Sequence, residues 1–542
     1  MANSAAIRWH GVMSLMGDFN KENEVVRTTD AVASVMVEGG CPVPEELMNT
    51  TKVESSSIII KDYGDHNDHK NDFKTFDEYM DDGEDSLEDN ETVITAGTLP
   101  AFRELQPAFQ PASTNNDTKN MRYLVWNAVG TITSRLDSLG KQQISIRFVN
   151  TGGKSKNECF PDLKGYIMAA LSHAGAIFAT GKDLVKVKRG STIDYRAFSA
   201  NKQLEGVNVN YSWTLSREET VHAVAAGLGW IAVTTSKNYL RIFTSTGIET
   251  KVICLNGPIV CMTGTESYLA LVYHAGNPMN NAFQMQVDLF EFDWKNGCSG
   301  KSIVKFVPLP MSEMASLAWI GFGSHSKTLL LTIMDSNGVV TILTKTLGYG
   351  CCAFEWSPVL DMQQDQPVGA TINHWPVYVW DDKLVFATLS GAQCFPTVYP
   401  QPVVFQRQFL LPVNGEKLHS MVWNNTITAH LEAMVNDLTT AGQYAVGFSH
   451  FQGITEQLII QRNAADRALL VMLQDAVVEK ATERALNLAL KLRSTKAMEA
   501  AIQIANCFSC PSVAAAVQFV LVYTLEQQRV EQQRVEQQRV EV

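Results

Sequence analysis

The stretch that decides the fold runs from Val221 to His274 and reads VHAVAAGLGWIAVTTSKNYLRIFTSTGIETKVICLNGPIVCMTGTESYLALVYH. Six short apolar segments in it are separated by Gly, Asn, Ser or Pro, which favours strands joined by turns. Val221 and Ile259 open two similar units of four strands, about 38 residues apart. Units of this length, each a small antiparallel sheet, are typical of propeller blades. The stretch therefore predicts a β-propeller.

The same pattern of short strands extends in both directions, over residues 106–413. We count roughly twenty to twenty-four strands, and at four strands per blade this predicts a six-bladed β-propeller. Propellers usually close by pairing an early strand with late ones. We therefore expect Tyr123–Thr131 to complete the sheet that contains Val403–Leu411.

After Pro412 the strand pattern stops and a helical bundle is predicted over residues 414–525, so the fold class is mainly β with an α-helical C-terminal part. Asp466–Leu492 has apolar residues at three- and four-residue spacing, as an amphipathic helix requires. Thr495 is placed to cap a helix over Lys496–Ala505, and Pro511 to begin another. Residues 526–542 form a low-complexity tail, whose five-residue EQQRV period fits no helical repeat.

The acidic residues of the chain are concentrated near its N-terminus. Between Asp62 and Glu91 there are 13 acidic residues and two lysines, which accounts for most of the net charge of −12. Residues 39–105 are acidic, polar and interrupted by prolines, so we expect a disordered linker. The apolar pattern of residues 1–38 indicates the last strands of a preceding domain.

The composition excludes several protein classes. The ten cysteines are scattered over 542 residues, which is unlike the disulfide framework of a small secreted domain. The N-terminus lacks the basic and then apolar order of a signal peptide, and no apolar stretch approaches the roughly 20 residues that span a bilayer. We therefore expect a soluble protein with no membrane contact.

No motif for catalysis, a cofactor or a metal is evident in the sequence. GxSxG, HExxH and glycine-rich phosphate loops are absent. Cys507 and Cys510 form a CxxC pair, but no further ligands or thioredoxin-like strand surround it, so packing cysteines are the simpler interpretation. Five histidines fall at strand ends or loops: His173, His222, His274, His325 and His374. We expect no cofactor and no metal.

Two features could contact partners. Lys186 and Lys188 lie on one face of a predicted strand, which suits either a nucleic-acid backbone or a solvated edge strand. In the helical region, small and aliphatic residues share one helix face, and a preceding helix supplies leucines for an opposite wall. These residues are Ala497, Ala500, Ala501 and Ile504, with Leu469, Leu470 and Leu473. Such a face either packs in a core or forms a shallow groove for a partner helix.

The chain resembles a known family of replisome adaptors. The family includes yeast chromosome transmission fidelity protein four and the animal acidic nucleoplasmic DNA-binding protein, also called WD repeat and HMG-box DNA-binding protein. The resemblance covers residues 105 to 510. It is carried in order by YLVWNAVGTI (123–132), GLGWIAVTTSKNYLRIFTSTGIE (227–249), LNGPIVCMTG (255–264), LALVYHAG (269–276), LAWIGF (317–322), VYPQPVVFQRQFLLPV (398–413) and ERALNLALKL (483–492).

The resemblance implies a nuclear, non-enzymatic DNA replication adaptor that forms a homotrimer through its propeller. It implies that the helical bundle captures short client helices from the GINS part of the replicative helicase and from DNA polymerase alpha–primase, which supports chromosome cohesion. The peptide groove of the family falls on Leu470, Ala500 and Ile504. Cys507 stands where a basic side chain is expected, and Arg493 and Lys496 are the basic residues nearby.

The resemblance also has limits. Residues 1–38 correspond only to the end of the family's N-terminal WD-repeat propeller, and the animal HMG box has no counterpart, so we expect chromatin association with at most weak direct DNA contact. Two alternatives remain open. One is an enzyme, a hydrolase or a metal-dependent lyase, that uses the propeller channel. The other is a general propeller scaffold of the coat or nuclear-pore type, for which the helical region is short.

Overall fold

The structure, a computed structural model, describes most of the chain from residue 103 onward. The described residues are 103–114, 121–149, 157–181, 190–198, 210–216, 218–292, 300–324, 330–347, 352–364, 372–390, 393–440 and 448–541. The predicted linker (39–105), the remnant (1–38), Lys186, Lys188 and His325 therefore lie outside the described residues, apart from residues 103–105.

The described part of the chain contains 23 strands in six successive blades, which confirms the predicted propeller. Blade 1 consists of β1 (Met121–Trp126), β2 (Gly130–Leu136), β3 (Gln142–Phe148) and β4 (Glu158–Pro161); blade 2 of β5 (Tyr166–Leu171), β6 (Gly175–Thr180), β7 (Thr192–Ala197) and β8 (Asn210–Thr214); and blade 3 of β9 (Val221–Ala226), β10 (Trp230–Thr235), β11 (Tyr239–Thr244) and β12 (Glu249–Cys254).

The remaining blades follow the same order. Blade 4 consists of β13 (Ile259–Gly264), β14 (Tyr268–His274), β15 (Met285–Glu291) and β16 (Lys301–Pro308); blade 5 of β17 (Leu317–Ser324), β18 (Leu331–Asp335), β19 (Val339–Leu347) and β20 (Cys352–Asp361); and blade 6 of β21 (Ile372–Trp380), β22 (Lys383–Ser390) and β23 (Val404–Gln408). The two predicted repeats thus begin at β9 and β13. Within every blade, consecutive strands pair antiparallel.

The first strand of each blade is its innermost strand. Contacts run from β1 to β5, β9, β13, β17 and β21 in turn, so these strands surround a central channel. We call the end of the channel where these strands begin the start face, and the other end the end face. The hydrophobic clusters lie between neighbouring blades: one joins blades 1 and 2, one blades 2 and 3, one blades 3 and 4, and one blades 4 and 5. Each blade is therefore stabilised by its neighbours.

The predicted closure of the ring is wrong. β1 pairs with β2 in its own blade, and β23 pairs with β22, so Tyr123–Thr131 and Val403–Leu411 share no sheet. Side chains close the ring instead. Trp375 on β21 lies with its ring centroid 6.1 Å from Tyr123 and 5.8 Å from Trp126 on β1. Because β1 is needed as the innermost strand of blade 1, it cannot also be an outer strand of blade 6.

Among the described residues, five helices follow the propeller: α1 (Glu416–Thr440), α2 (Phe448–Val478), α3 (Thr482–Ala489), α4 (Thr495–Cys507) and α5 (Pro511–Glu541). The sequence pattern predicted one helix over Asp466–Leu492, but Lys480 adopts a φ of 57° and the chain turns there. The predicted low-complexity tail continues α5 to Glu541. None of the helices that are described meets the length and hydropathy needed to cross a membrane.

The helices divide between two hydrophobic clusters. α1 and the first half of α2 extend the propeller core, where Ile427, Leu431 and Leu458 join residues of blades 5 and 6. A hydrogen bond fixes this junction, because the Lys345 backbone N–H of β19 donates to His430 Nδ1 at 2.8 Å. The second half of α2 packs with α3, α4 and α5 in a separate cluster. This second cluster contains the predicted groove residues.

Candidate functional site

The position of α4 is fixed by a buried carboxylate on α2. Asp466 is 1% exposed and accepts hydrogen bonds from the backbone N–H groups of Arg493 (3.0 Å) and Ser494 (2.9 Å). Ser494 in turn accepts from the Ala497 N–H at 3.1 Å. Ser494 is therefore the N-cap and Thr495 the first helical residue, which corrects the cap predicted at Thr495. These contacts hold the start of α4 against the middle of α2.

The three predicted groove residues belong to one hydrophobic cluster. Leu470 on α2 is 4% exposed, and Ile504 on α4 is 2% exposed. Ala500 is only partly buried and packs against the same cluster. Leu470 and Ile504 are therefore core residues in the isolated chain, and Ala500 lies at the surface of the core that they form.

The other residues of the predicted face are buried as well. Ala497 and Ala501 have no exposed surface, and Leu469 and Leu473 are equally buried on α2. Packing therefore explains most of the small-residue face, because alanines allow close approach of two helices.

Ala500 marks the accessible side of α4. Lys496, Ala500, Gln503 and Cys507 follow one another at spacings of four, three and four residues, which places them along one helix face. Lys496 and Gln503 are exposed, while Ala500 and Cys507 are partly buried. A partner helix laid along this face would contact Ala500 and Cys507 first.

The two basic residues near this face have different surroundings. The Arg493 guanidinium forms an ion pair with Glu432 on α1 at 2.5 Å, and Arg462 of α2 contacts the same carboxylate at 2.7 Å. Arg493 is thus engaged within the bundle. Lys496 lies in the first turn of α4 with its side chain exposed. Lys496 thus lies on the same face of α4 as Ala500.

Sequence reasoning missed an apolar surface on α5. Val513, Val517 and Leu521 face the cluster, whereas Phe519 and Tyr523 are exposed on the opposite side. The signal was present, because the stretch from Val513 to Tyr523 is apolar on more than one helix face. One apolar side of α5 therefore packs on the cluster, and the other is exposed.

The end face of the propeller channel holds a cavity of about 750 Å³. Four ionisable side chains line it: His173, Glu266, Tyr268 and Tyr378. His173 and Glu266 lie 3.6 Å apart, and both side chains are more than half exposed. Such a pair is solvated, unlike the buried and hydrogen-bonded groups of most acid–base sites.

The other described histidines named from the sequence are partly or fully buried in the propeller. Burial lowers the pKa of His222, His274 and His374. Among the residues that the structure describes, no three His, Cys, Asp or Glu side chains are grouped so that they could hold a metal ion. Cys507 and Cys510 form no disulfide bond.

Residues 107–413 match the protein family described as Minichromosome loss protein, Mcl1, middle region. Protein ENHANCER OF LHP1 1 of Arabidopsis thaliana is 25% identical over 420 residues, which cover 77% of this chain and 41% of that protein. WD repeat and HMG-box DNA-binding protein 1 of Homo sapiens is 27% identical over 343 residues, covering 62% and 28%. DNA polymerase alpha-binding protein of Saccharomyces cerevisiae is 24% identical over 480 residues, covering 78% and 48%. The chain spans less than half of the length of each of these relatives.

Proposed function

The chain belongs to the Mcl1 family of the replisome adaptors, as its resemblance predicted, and from this we propose that it is a non-enzymatic DNA replication adaptor acting in the nucleus. Its task is to connect proteins at the replication fork rather than to catalyse a reaction. One observation carries the proposal: Leu470, Ala500 and Ile504, from two helices, meet in one cluster with Ala500 at its surface.

DNA polymerase alpha is the first client that we propose, because the yeast relative is named for binding it. The GINS part of the replicative helicase is the second, as the family resemblance implies. Each client would supply a short amphipathic helix that lies along the Ala500 side of α4. Acidic residues on that helix would face Lys496, which is exposed. Linking these two clients supports chromosome cohesion.

The proposed site requires a small side chain at position 500. Ala500→Glu places a longer, negatively charged side chain at the surface of the cluster, so it blocks a partner helix and repels acidic residues. The matched control is Asn506→Glu, which adds the same charge to an exposed position of α4 outside that face. Ile504→Glu is unsuitable for this test, since Ile504 is 2% exposed and its substitution would disrupt the bundle core.

The test measures fluorescence anisotropy of labelled peptides from polymerase alpha and GINS with the three proteins. We expect Ala500→Glu to weaken binding at least about tenfold, while Asn506→Glu binds like the original chain. Circular dichroism checks that all three bundles remain helical. Equal binding by Ala500→Glu would show that the peptides bind elsewhere, and the exposed Phe519 and Tyr523 of α5 would be the next surface to test.

We further propose that the propeller forms the homotrimer. Blade 6 has three strands among the described residues, and its outer edge exposes several large apolar side chains. Tyr399 is 83% exposed, Val403 70% and Phe405 49%. An apolar strand edge of this kind favours association with another chain.

Sedimentation velocity tests this interface. Phe405→Lys introduces a charge at the edge and should convert a trimer into monomers, whereas Leu139→Lys, at an exposed position in blade 1, should leave it intact. A chain that is a monomer before any substitution would refute the trimer.

A further inference from the structure

The propeller channel contains a segment of the chain itself. Residues 103–114, here called the channel segment, enter at the start face, where Arg103 donates to the Asn281 carbonyl and stacks over the Phe283 ring. At the other end, the Trp126 N–H donates to the carbonyl of Ala112 beside the end of β1. Residues 103–112 therefore pass through the channel from one face to the other.

The chain then reverses at the end face. Ser113 donates its backbone N–H to the Gln110 carbonyl, and Ala112 between them adopts a φ of 52°. Thr114 pairs with Tyr123 of β1, because the Thr114 N–H donates to the Tyr123 carbonyl at 3.0 Å. The channel segment thus forms a tight turn and runs back along the innermost strand of blade 1.

Two glutamines attach the channel segment to the inner strands. The side-chain amide of Gln106 donates to the Leu317 carbonyl at 2.8 Å and accepts from the Leu317 N–H at 2.9 Å. Gln110 pairs in the same way with Val224, at 2.6 and 3.2 Å. Each amide satisfies both the donor and the acceptor of one backbone residue, as a neighbouring strand would. Gln106 therefore binds blade 5, and Gln110, four residues later, binds blade 3.

Backbone groups of the channel segment add contacts with blade 4. The Phe109 N–H donates to the Val260 carbonyl on β13 at 2.8 Å. The Gln106 carbonyl lies 3.0 Å from Nε2 of His274, which is 1% exposed. Phe109 also packs against the hydrophobic cluster between blades 4 and 5. The segment therefore contacts four of the six blades.

These contacts favour glutamine over glutamate and asparagine at positions 106 and 110. A carboxylate of the same length has no proton to donate at neutral pH, so a glutamate would place two acceptors against the carbonyl of Leu317 or Val224. Asparagine has the right chemistry but is one methylene shorter. The partly buried N–H and C=O groups of Leu317 and Val224 would then lose their partners.

From this geometry we propose that the propeller channel is a specific binding site for an extended peptide with glutamines four residues apart, and that its ligand is the channel segment of the same chain. The channel segment should stay bound in the channel even when the chain is cut between the segment and β1. The contacts of the channel segment attach the chain at residue 103 to blades 3, 4 and 5. A mechanical force applied to the chain before residue 103 would therefore be borne by these three blades. At the end face, Gln110 and Ala112 of the segment line the cavity described above.

The test cuts the chain between the segment and the propeller. A protease recognition sequence replaces residues 115–120 in the full chain, and the protein is cleaved after purification. We expect the two pieces to elute together in size-exclusion chromatography. The double substitution Gln106→Glu/Gln110→Glu should release the N-terminal piece, whereas Glu104→Gln, at an exposed position of the same segment, should not. Separation of the unsubstituted pieces, or retention in the double variant, would overturn the proposal.

A second measurement covers the case in which the double variant does not fold. The cleaved, unsubstituted protein is mixed with an excess of fluorescent synthetic peptide that spans residues 102–116, and exchange into the propeller is followed by anisotropy. A peptide with glutamate at positions 106 and 110 should compete about 100-fold more weakly, since the hydrogen-bond pairs with Leu317 and Val224 are both lost. Equal competition by both peptides would show that the glutamines do not determine binding.

Discussion

Replacement of Trp375 by alanine should open the ring of blades. Trp375 is 8% exposed and packs against Tyr123 and Trp126, the aromatic residues of β1 with which it closes the propeller in place of a shared strand. Removing a buried tryptophan costs about 3–5 kcal/mol, which includes the cavity that it leaves. For a domain of this size the loss corresponds to a fall in the unfolding temperature on the order of 10 °C. Differential scanning calorimetry measures this fall.

Trp380 provides the matched control, because it lies on the same strand but is 40% exposed. Trp380→Ala should lower the unfolding temperature by no more than a few degrees. Hydrogen exchange in the Trp375→Ala variant should rise first in β1 and β21, the strands on either side of the closure. If both substitutions had equal effects, or if exchange rose uniformly, aromatic closure would be refuted.

Three further predictions concern buried polar groups. Burial alone would raise the pKa of Glu219, but hydrogen bonds from Arg241 and Ser216 lower it to about 2, so its stabilising effect is full above pH 4.5 and is lost as the pH falls toward 2. Glu219→Gln should destabilise the propeller by about 3 kcal/mol at pH 7 and flatten this acid dependence, measured by urea unfolding. Burial lowers the pKa of His274 below 6.5 despite its hydrogen bond to Gln106, so stability should decrease as the pH falls below 6.5, and His274→Gln should reduce that decrease in thermal unfolding. His430→Ala leaves the buried Lys345 N–H unpaired and should cost about 1–3 kcal/mol, with faster proteolysis of α1.

An exposed residue supplies the control for these changes. His173→Ala should alter neither the stability at pH 7 nor the proteolysis of α1, since the His173 side chain is largely exposed. An acid dependence in Glu219→Gln as steep as in the original chain would contradict the first prediction. The second would fail if His274→Gln kept the full decrease in stability below pH 6.5, and the third if α1 were cleaved at an unchanged rate.

The local pattern of the sequence was sufficient to predict the blades. The strands that begin at Val221 and Ile259 were predicted at their observed starts, because each blade is built from neighbouring strands joined by short turns. The closure was not predictable in this way. It depends on Trp375 meeting Tyr123 across about 250 residues of chain, and no periodicity in the sequence reports such a contact.

The groove was predictable as a cluster but not as a surface. Helical spacing placed Ala500 and Ile504 on one face and Leu470 opposite them, and all three do pack in one cluster. Spacing does not reveal which residues the neighbouring helices cover. The buried state of Leu470 and Ile504, and the accessibility of Ala500, follow from the way α2, α4 and α5 pack together.

The sequence by itself determined the six blades and the helical region, because strand and helix periodicity and turn residues act over a few neighbouring positions. The family followed from the resemblance of ordered sequence segments. Only the tertiary structure decided what fills the channel and what closes the ring. Residues 103–114 span the predicted boundary between the polar, proline-containing linker and the propeller, and Gln106 and Gln110 show no local pattern. They acquire a role because the inner strands of distant blades present unpaired backbone N–H and C=O groups that a side-chain amide can satisfy.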